Sequence, residues 1–123
     1  MAGFEYVPKF LCAGEISFVA AANVVAGQLV QVTSDYQVSP SSAPGQEQFG
    51  VAAMTVASGG SLAVYFEGVH TLSASGAIPA GAAVVAGPAG AVAAATASTP
   101  AGEVVGYALN TATNGEVDVR LSY

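Results

Sequence analysis

The sequence of 123 residues predicts an all-β fold: a compact barrel-like domain built from two similar β modules behind an extended N-terminal arm. Three observations carry this. Apolar and polar residues alternate with a period of two in the segments that read as strands. Turn dipeptides separate those segments. The pattern of glycines and apolar residues in the first half of the chain also recurs in the second.

The arm comes first. Residues 1–13 hold Phe4, Tyr6 and Phe10, three of the ten aromatics, and Lys9, one of two basic residues. Phe4, Tyr6 and Pro8 share one parity, as in an extended segment laid on a neighbouring subunit; the alternative is an edge strand of the same domain. The repeat follows. Gly14 to Val30 reads GEISFVAAANVVAGQLV, and Gly68 to Val84 reads GVHTLSASGAIPAGAAV. Without a gap, Gly14 falls on Gly68, Phe18 on Leu72, Val24 on Ile78, Ala26-Gly27 on Ala80-Gly81 and Val30 on Val84. Downstream, Phe49-Gly50-Val51-Ala52 answers Val105-Gly106-Tyr107-Ala108, and Gly59 to Val64 answers Asn114 to Val119. The expected organisation is an arm over 1–13 and one β domain over 14–123, with the repeat copies at 14–68 and 68–123.

Each copy reads as strand, Val/Ile-x-Ala-Gly turn, strand, variable loop, Gly-x-Ala strand, glycine turn, strand. Leu62, Val64 and Phe66 alternate with Ser61, Ala63, Tyr65 and Glu67, and Val117, Val119 and Leu121 alternate with Glu116, Asp118, Arg120 and Ser122. Gly59-Gly60 and Asn114-Gly115 favour the positive φ of tight hairpin turns. Ser39 to Gly45, with two prolines that cannot donate to a ladder, reads as a surface loop. Ala89 to Ala97 has alanine's helix propensity, but Gly90, Thr96 and the flanking prolines oppose a helix.

Composition bounds the function. Ala, Gly and Val (26, 15 and 18 residues) make up nearly half the chain. Charged residues reach 8%, against roughly 25% in an ordinary soluble domain. A surface so poor in charge suits a subunit packed against neighbours better than a free monomer. Lys9 and Arg120 stand against eight carboxylates, giving a net charge of −6. Two cations cannot supply a phosphate-backbone footprint or grip an anionic membrane, so nucleic-acid and membrane-surface binding are excluded. The stretch between Glu67 and Glu103 carries no charge, and the mean hydropathy is +0.58. Gly76, Pro79, Gly81, Gly87, Pro88, Gly90 and Pro100 nevertheless break any membrane helix there. No charged leader precedes an apolar core, so no signal peptide is expected. The lone Cys12 excludes an intrachain disulfide, suits a reducing cytoplasm, and reads as a small hydrophobe.

Site chemistry is sparse. His70 is the only histidine, and no serine stands in a nucleophile-elbow context, so no catalytic residue is assigned. Glu116 and Asp118 share one strand face, which reads as a solvated edge and not a calcium site, and no metal site is expected. The glycines spell no phosphate-binding loop, and no cofactor is expected. A lipoyl- or biotin-carrier module needs a lysine at a hairpin tip, and the only lysine lies in the arm.

These pieces in this order resemble the small capsid decoration (cement) proteins of tailed bacteriophages, in particular the group classed as a domain of unknown function, DUF2190. The matching pieces are Ala26-Gly27, Gly50-Val51-Ala52, Gly59-Gly60, Leu62-Ala63-Val64, Glu67-Gly68-Val69, Ile78-Pro79-Ala80-Gly81, Val105 to Leu109 and Gly115 to Leu121. The family often carries a charged residue after the Ala-Gly turn, where this chain has Gln28 and Ala82. The resemblance implies a β-barrel or β-tulip-like subunit of the virion. It would be made in the host bacterial cytoplasm and sit as a homotrimer on the head exterior, bridging copies of the major capsid protein. Phe4, Tyr6 and Phe10 are the candidate capsid or subunit contacts. A small receptor- or carbohydrate-binding β module is the alternative; it would call for an exposed aromatic platform, and the chain has no tryptophan.

Overall fold

The structure, a computed structural model, describes residues 15–121. Ten strands follow one another: β1 Glu15–Ala20, β2 Leu29–Ser34, β3 Gln37–Pro40, β4 Phe49–Ala52, β5 Ser61–Tyr65, β6 Val69–Ser73, β7 Ala83–Ala86, β8 Val92–Ala94, β9 Val104–Ala108 and β10 Glu116–Leu121. The helical elements among the described residues are two single turns of 3-10 helix, Pro88–Gly90 and Ala101–Glu103, and no helix there is long and apolar enough to cross a membrane.

The first five strands close into a barrel in the order β1-β3-β2-β4-β5, and the second five form a sheet in the order β6-β10-β9-β7-β8. The two units share one wiring. Phe18 pairs with Leu62 and Leu72 with Val117; Val30 pairs with Gly50 and Val84 with Gly106. The parallel closure recurs as well: Ala20 pairs with Val38 in the first unit, and Ala74 with Val92 in the second. Inward positions are therefore matched. Phe18, Val24, Val30, Val38, Leu62 and Val64 fill the barrel, and Leu72, Ile78, Val84, Val92, Val117 and Val119 hold the matching positions in the core of the second unit.

The Gly-x-Ala strands owe their glycine to this closure. A Cβ on Gly50 would lie 2.6 Å from Val64 Cγ1 and 2.8 Å from the Tyr65 carbonyl oxygen. On Gly106 it would lie 2.9 Å from Val119 Cγ1 and closer still to the Arg120 carbonyl. Both glycines sit where neighbouring strands approach too closely for any side chain. The Ala-Gly turns are held equally in both units: Gly27 (φ 88°) donates to the Ala52 carbonyl at 2.9 Å, and Gly81 (φ 84°) to Ala108 at 2.8 Å. The Ala26 amide donates to Thr55 Oγ1 at 3.0 Å, and the Ala80 amide to Thr111 Oγ1 at 3.3 Å.

The third strand of each unit departs from the sequence reading. Ser39 and Pro40, expected in a loop, lie in β3, and Val92–Ala94 forms β8 within the alanine-rich stretch. Pro40 is tolerated because it ends its strand, and the ladder resumes where the Ser41 amide donates to the Leu29 carbonyl at 2.9 Å. Ser41 is the buried polar residue among those described, and its hydroxyl donates across the unit boundary to the buried Gly87 carbonyl at 2.9 Å. Beside it, Gln28 donates from Nε2 to the Ala89 carbonyl at 3.2 Å, and the Gly90 amide donates to the Ser41 carbonyl at 3.0 Å. Leu29, Phe49 and Val51 of the first barrel belong to the same packed cluster as the core of the second unit. The second unit's core thus extends into the first through these three residues, with a hydrogen-bonded margin, while the first barrel keeps a core of its own.

Gly50→Ala should destabilise the protein by about 1–3 kcal/mol through overpacking against Val64 and the Tyr65 backbone, read from denaturant unfolding. Ser41→Ala leaves the Gly87 carbonyl buried without its donor, and a loss of about 1–3 kcal/mol is expected in the same measurement.

Candidate functional site

The described residues contain no cluster of His, Cys, Asp or Glu able to hold a metal ion. His70 stacks on Tyr65 with ring centroids 5.7 Å apart, and its Nε2 lies 2.9 Å from the Glu67 carbonyl oxygen. It bridges the end of β5 and the start of β6. Asp118 accepts from Thr71 Oγ1 at 2.7 Å and from Asn110 Nδ2 at 3.3 Å, while its amide donates to Asn110 Oδ1 at 3.0 Å. Its carboxylate is committed to tying β6, β10 and the loop after β9 together. Gln28 also accepts from the Val25 amide at 2.8 Å, so it braces its own turn as well as the unit boundary.

What the fold does present is surface. The cross-strand row Leu29–Val51–Tyr65–Glu15 of the first unit corresponds to Ala83–Tyr107–Arg120–Val69 in the second. Leu29 and Val51 are buried in the shared core, whereas Tyr107 and Val69 are 49% and 55% exposed. The next outward residue on β9's path, Leu109, is 55% exposed, and its amide donates to the Asp118 carbonyl at 2.8 Å. Tyr107, Leu109 and Val69 therefore surround Arg120 on one outer sheet face. The sequence analysis singled out none of them, although the alignment of Val51 with Tyr107 was the available signal. The predicted contacts Phe4, Tyr6 and Phe10 lie outside the described residues.

The phage cement protein family matches residues 13–123. The chain belongs to that family. It is a capsid-decorating structural protein of the phage virion. The crystal structure of the N base of head fiber gp8.5 in bacteriophage phi29 is similar in fold, with a TM-score of 0.65. That likeness has 24% sequence identity and covers 88% of this chain and 92% of that one. Comparison with curated proteins returns no match.

For a capsid-decorating protein the relevant output of a fold is contact area, not an enclosed pocket. The outer face around Tyr107 is exposed apolar surface that the fold itself does not bury. Tyr107→Ser should leave unfolding free energy within about 0.5 kcal/mol, as for an exposed site. Val105→Ala, two residues earlier on the same strand but buried, should cost about 2 kcal/mol in the same denaturation series.

Proposed function

We propose that the protein cements the outer surface of an icosahedral phage head by bridging neighbouring copies of the major capsid protein, and that it does so as a homotrimer. The observation that carries this reading is the family match over residues 13–123, joined to a chain with only 8% charged residues. Packaged DNA pushes capsid subunits apart, and a clamp resists that through buried area, worth about 25 cal/mol per Å² before ordering costs. Several linked footprints add avidity through effective concentration, so no single contact needs to be strong. Few charges means few to desolvate in such contacts. The net −6 keeps free subunits apart in the host cytoplasm, where the chain would be made.

The same reading takes residues 1–13 as an arm and 14–123 as one β domain with repeat copies at 14–68 and 68–123; the matched registers of the two units support it. Phe4, Tyr6 and Phe10 are the arm's candidate contacts, because aromatics bury much area at low entropic cost. Purified protein should co-sediment saturably with expanded heads that lack it, and light scattering should give three times the chain mass of 12.0 kDa. Deleting Met1–Leu11 should leave the domain folded and weaken head binding; undiminished binding by the truncated protein would remove the arm from the interface.

A further inference from the structure

Inside the chain, the outer row of the first unit is seated on one end of the second. Leu29 and Val51 of that row are buried in the second unit's core, and Tyr65 stacks on His70 with ring centroids 5.7 Å apart. The receiving end carries the turn over 87–90. Ser41 Oγ donates to the Gly87 carbonyl, the Gly90 amide donates to the Ser41 carbonyl, and Gln28 Nε2 donates to the Ala89 carbonyl. Gly87 and Gly90 are buried at this joint.

The matched wiring supplies each half of the joint again. Val32 pairs with Val38 as Ala86 does with Val92, so Thr33 corresponds to Gly87 and Tyr36 (φ 52°) to Gly90 (φ 78°). At this open end of the first barrel Thr33 and Tyr36 are exposed. Phe18, Val32, Asp35 and Tyr36 border a depression there of about 460 Å³, and Gln48 and Phe66 border an adjoining one of about 310 Å³. The outer row of the second unit is exposed as well. Ala83 and Ala95, which stand where the first unit has Leu29 and Ser41, are half-buried. Tyr107, in the place of Val51, is 49% exposed, and Arg120, in the place of Tyr65, is exposed. One row and one end of matching kind are thus left exposed among the described residues.

We propose that two copies of the chain meet through them: the row Ala83–Tyr107–Arg120 of one copy seats on the open end of the next copy's first barrel, repeating between chains the joint made within each. Charge favours it. Arg120 is the basic residue among those described, and no described carboxylate pairs with it. Asp35 lines the receiving end, and the exposed Glu47 and Glu67 adjoin its lining residues Gln48 and Phe66. Side-chain size favours it too. A Cβ on Gly90 would lie 2.7 Å from Gln28 Cβ and 2.8 Å from its Cγ, so the buried joint has no room there. Where the receiving end has the larger Tyr36, the incoming row has Ala82 in place of Gln28 and Ala95 in place of Ser41, and a small outward shift accommodates the ring. Those alanines cannot repeat the side-chain hydrogen bonds of Gln28 and Ser41; Tyr107 and Arg120 supply area and charge instead. Unlike patches join, so copies run head to tail and close into a ring. That the ring holds three copies rests on the homotrimer reading above, whereas the joint requires only self-association. It adds to assembly and leaves the unfolding of a dissociated chain as it is.

Two single-cysteine chains test the joint, each with Cys12→Ser to remove the native thiol. One carries Ala82→Cys on the incoming row and the other Tyr36→Cys on the receiving end, with Asp35→Cys as a second receiving position. Refolded together and oxidised, the pair should form mixed disulfide dimers about tenfold faster than either chain links to itself, because only the unlike positions are held together. Arg120→Glu in the first chain should slow that linkage about tenfold at low salt and by less at high salt. Mixed linkage no faster than self-linkage at both receiving positions, or unmoved by Arg120→Glu, overturns the proposal. Light scattering of the unmodified chain reads the stoichiometry separately. A trimer that links at neither receiving position refutes the joint and leaves the trimer; linked rings of another size refute the trimer and leave the joint.

Discussion

Everything in this fold depends on two places where one strand crosses its neighbour with no room for a side chain. Gly50 lies against Val64 and the Tyr65 carbonyl, and Gly106 against Val119 and the Arg120 carbonyl. A barrel of few strands must bend sharply to close, and the bend concentrates where a glycine lets backbones approach. Once the strands close there, Phe18, Val30, Leu62 and Val64 converge on one axis and Leu72, Val84, Val117 and Val119 on the other. The Ala-Gly turns, each clamped by a threonine hydroxyl, then fix where the second strand of each unit begins.

Two units with the same wiring need not have the same surface, and here the outer rows differ in burial. The outward row of the first barrel is spent on the shared core, through Leu29 and Val51, and the equivalent row of the second unit carries Tyr107, Arg120 and Val69 to solvent. One module thus anchors the pair, and the other presents a face. The margin between them is polar where it must be: Ser41 satisfies the buried Gly87 carbonyl, and Gln28 reaches Ala89. Such an arrangement gives a rigid block with an outward surface of small and apolar residues, which suits a protein whose task is to adhere to a capsid.

Charge is scarce enough that its placement carries information. Three of the eight carboxylates gather at the open end of the first barrel, and Asp118 is tied down by Thr71 and Asn110. The acidic residues are thus partly structural and partly a rim around an apolar mouth.

The sequence by itself determined the all-β class and the inward positions of the strands around Leu62 and Val117. These rest on a period of two and on glycine's freedom at positive φ. It also carried the family, because the turn and Gly-x-Ala pieces keep their order along the chain. The short third strands escaped it: four residues ending in Pro40, or three among alanines, give too few alternations to show a period. Ser41 escaped for a related reason, since nothing local distinguishes a serine that will meet a carbonyl 46 residues away. Which outer row is covered was decided only by the tertiary structure. Val51 and Tyr107 occupy equivalent positions in equivalent strands, and their burial differs because the packing of one unit on the other is a long-range event that neither local segment encodes.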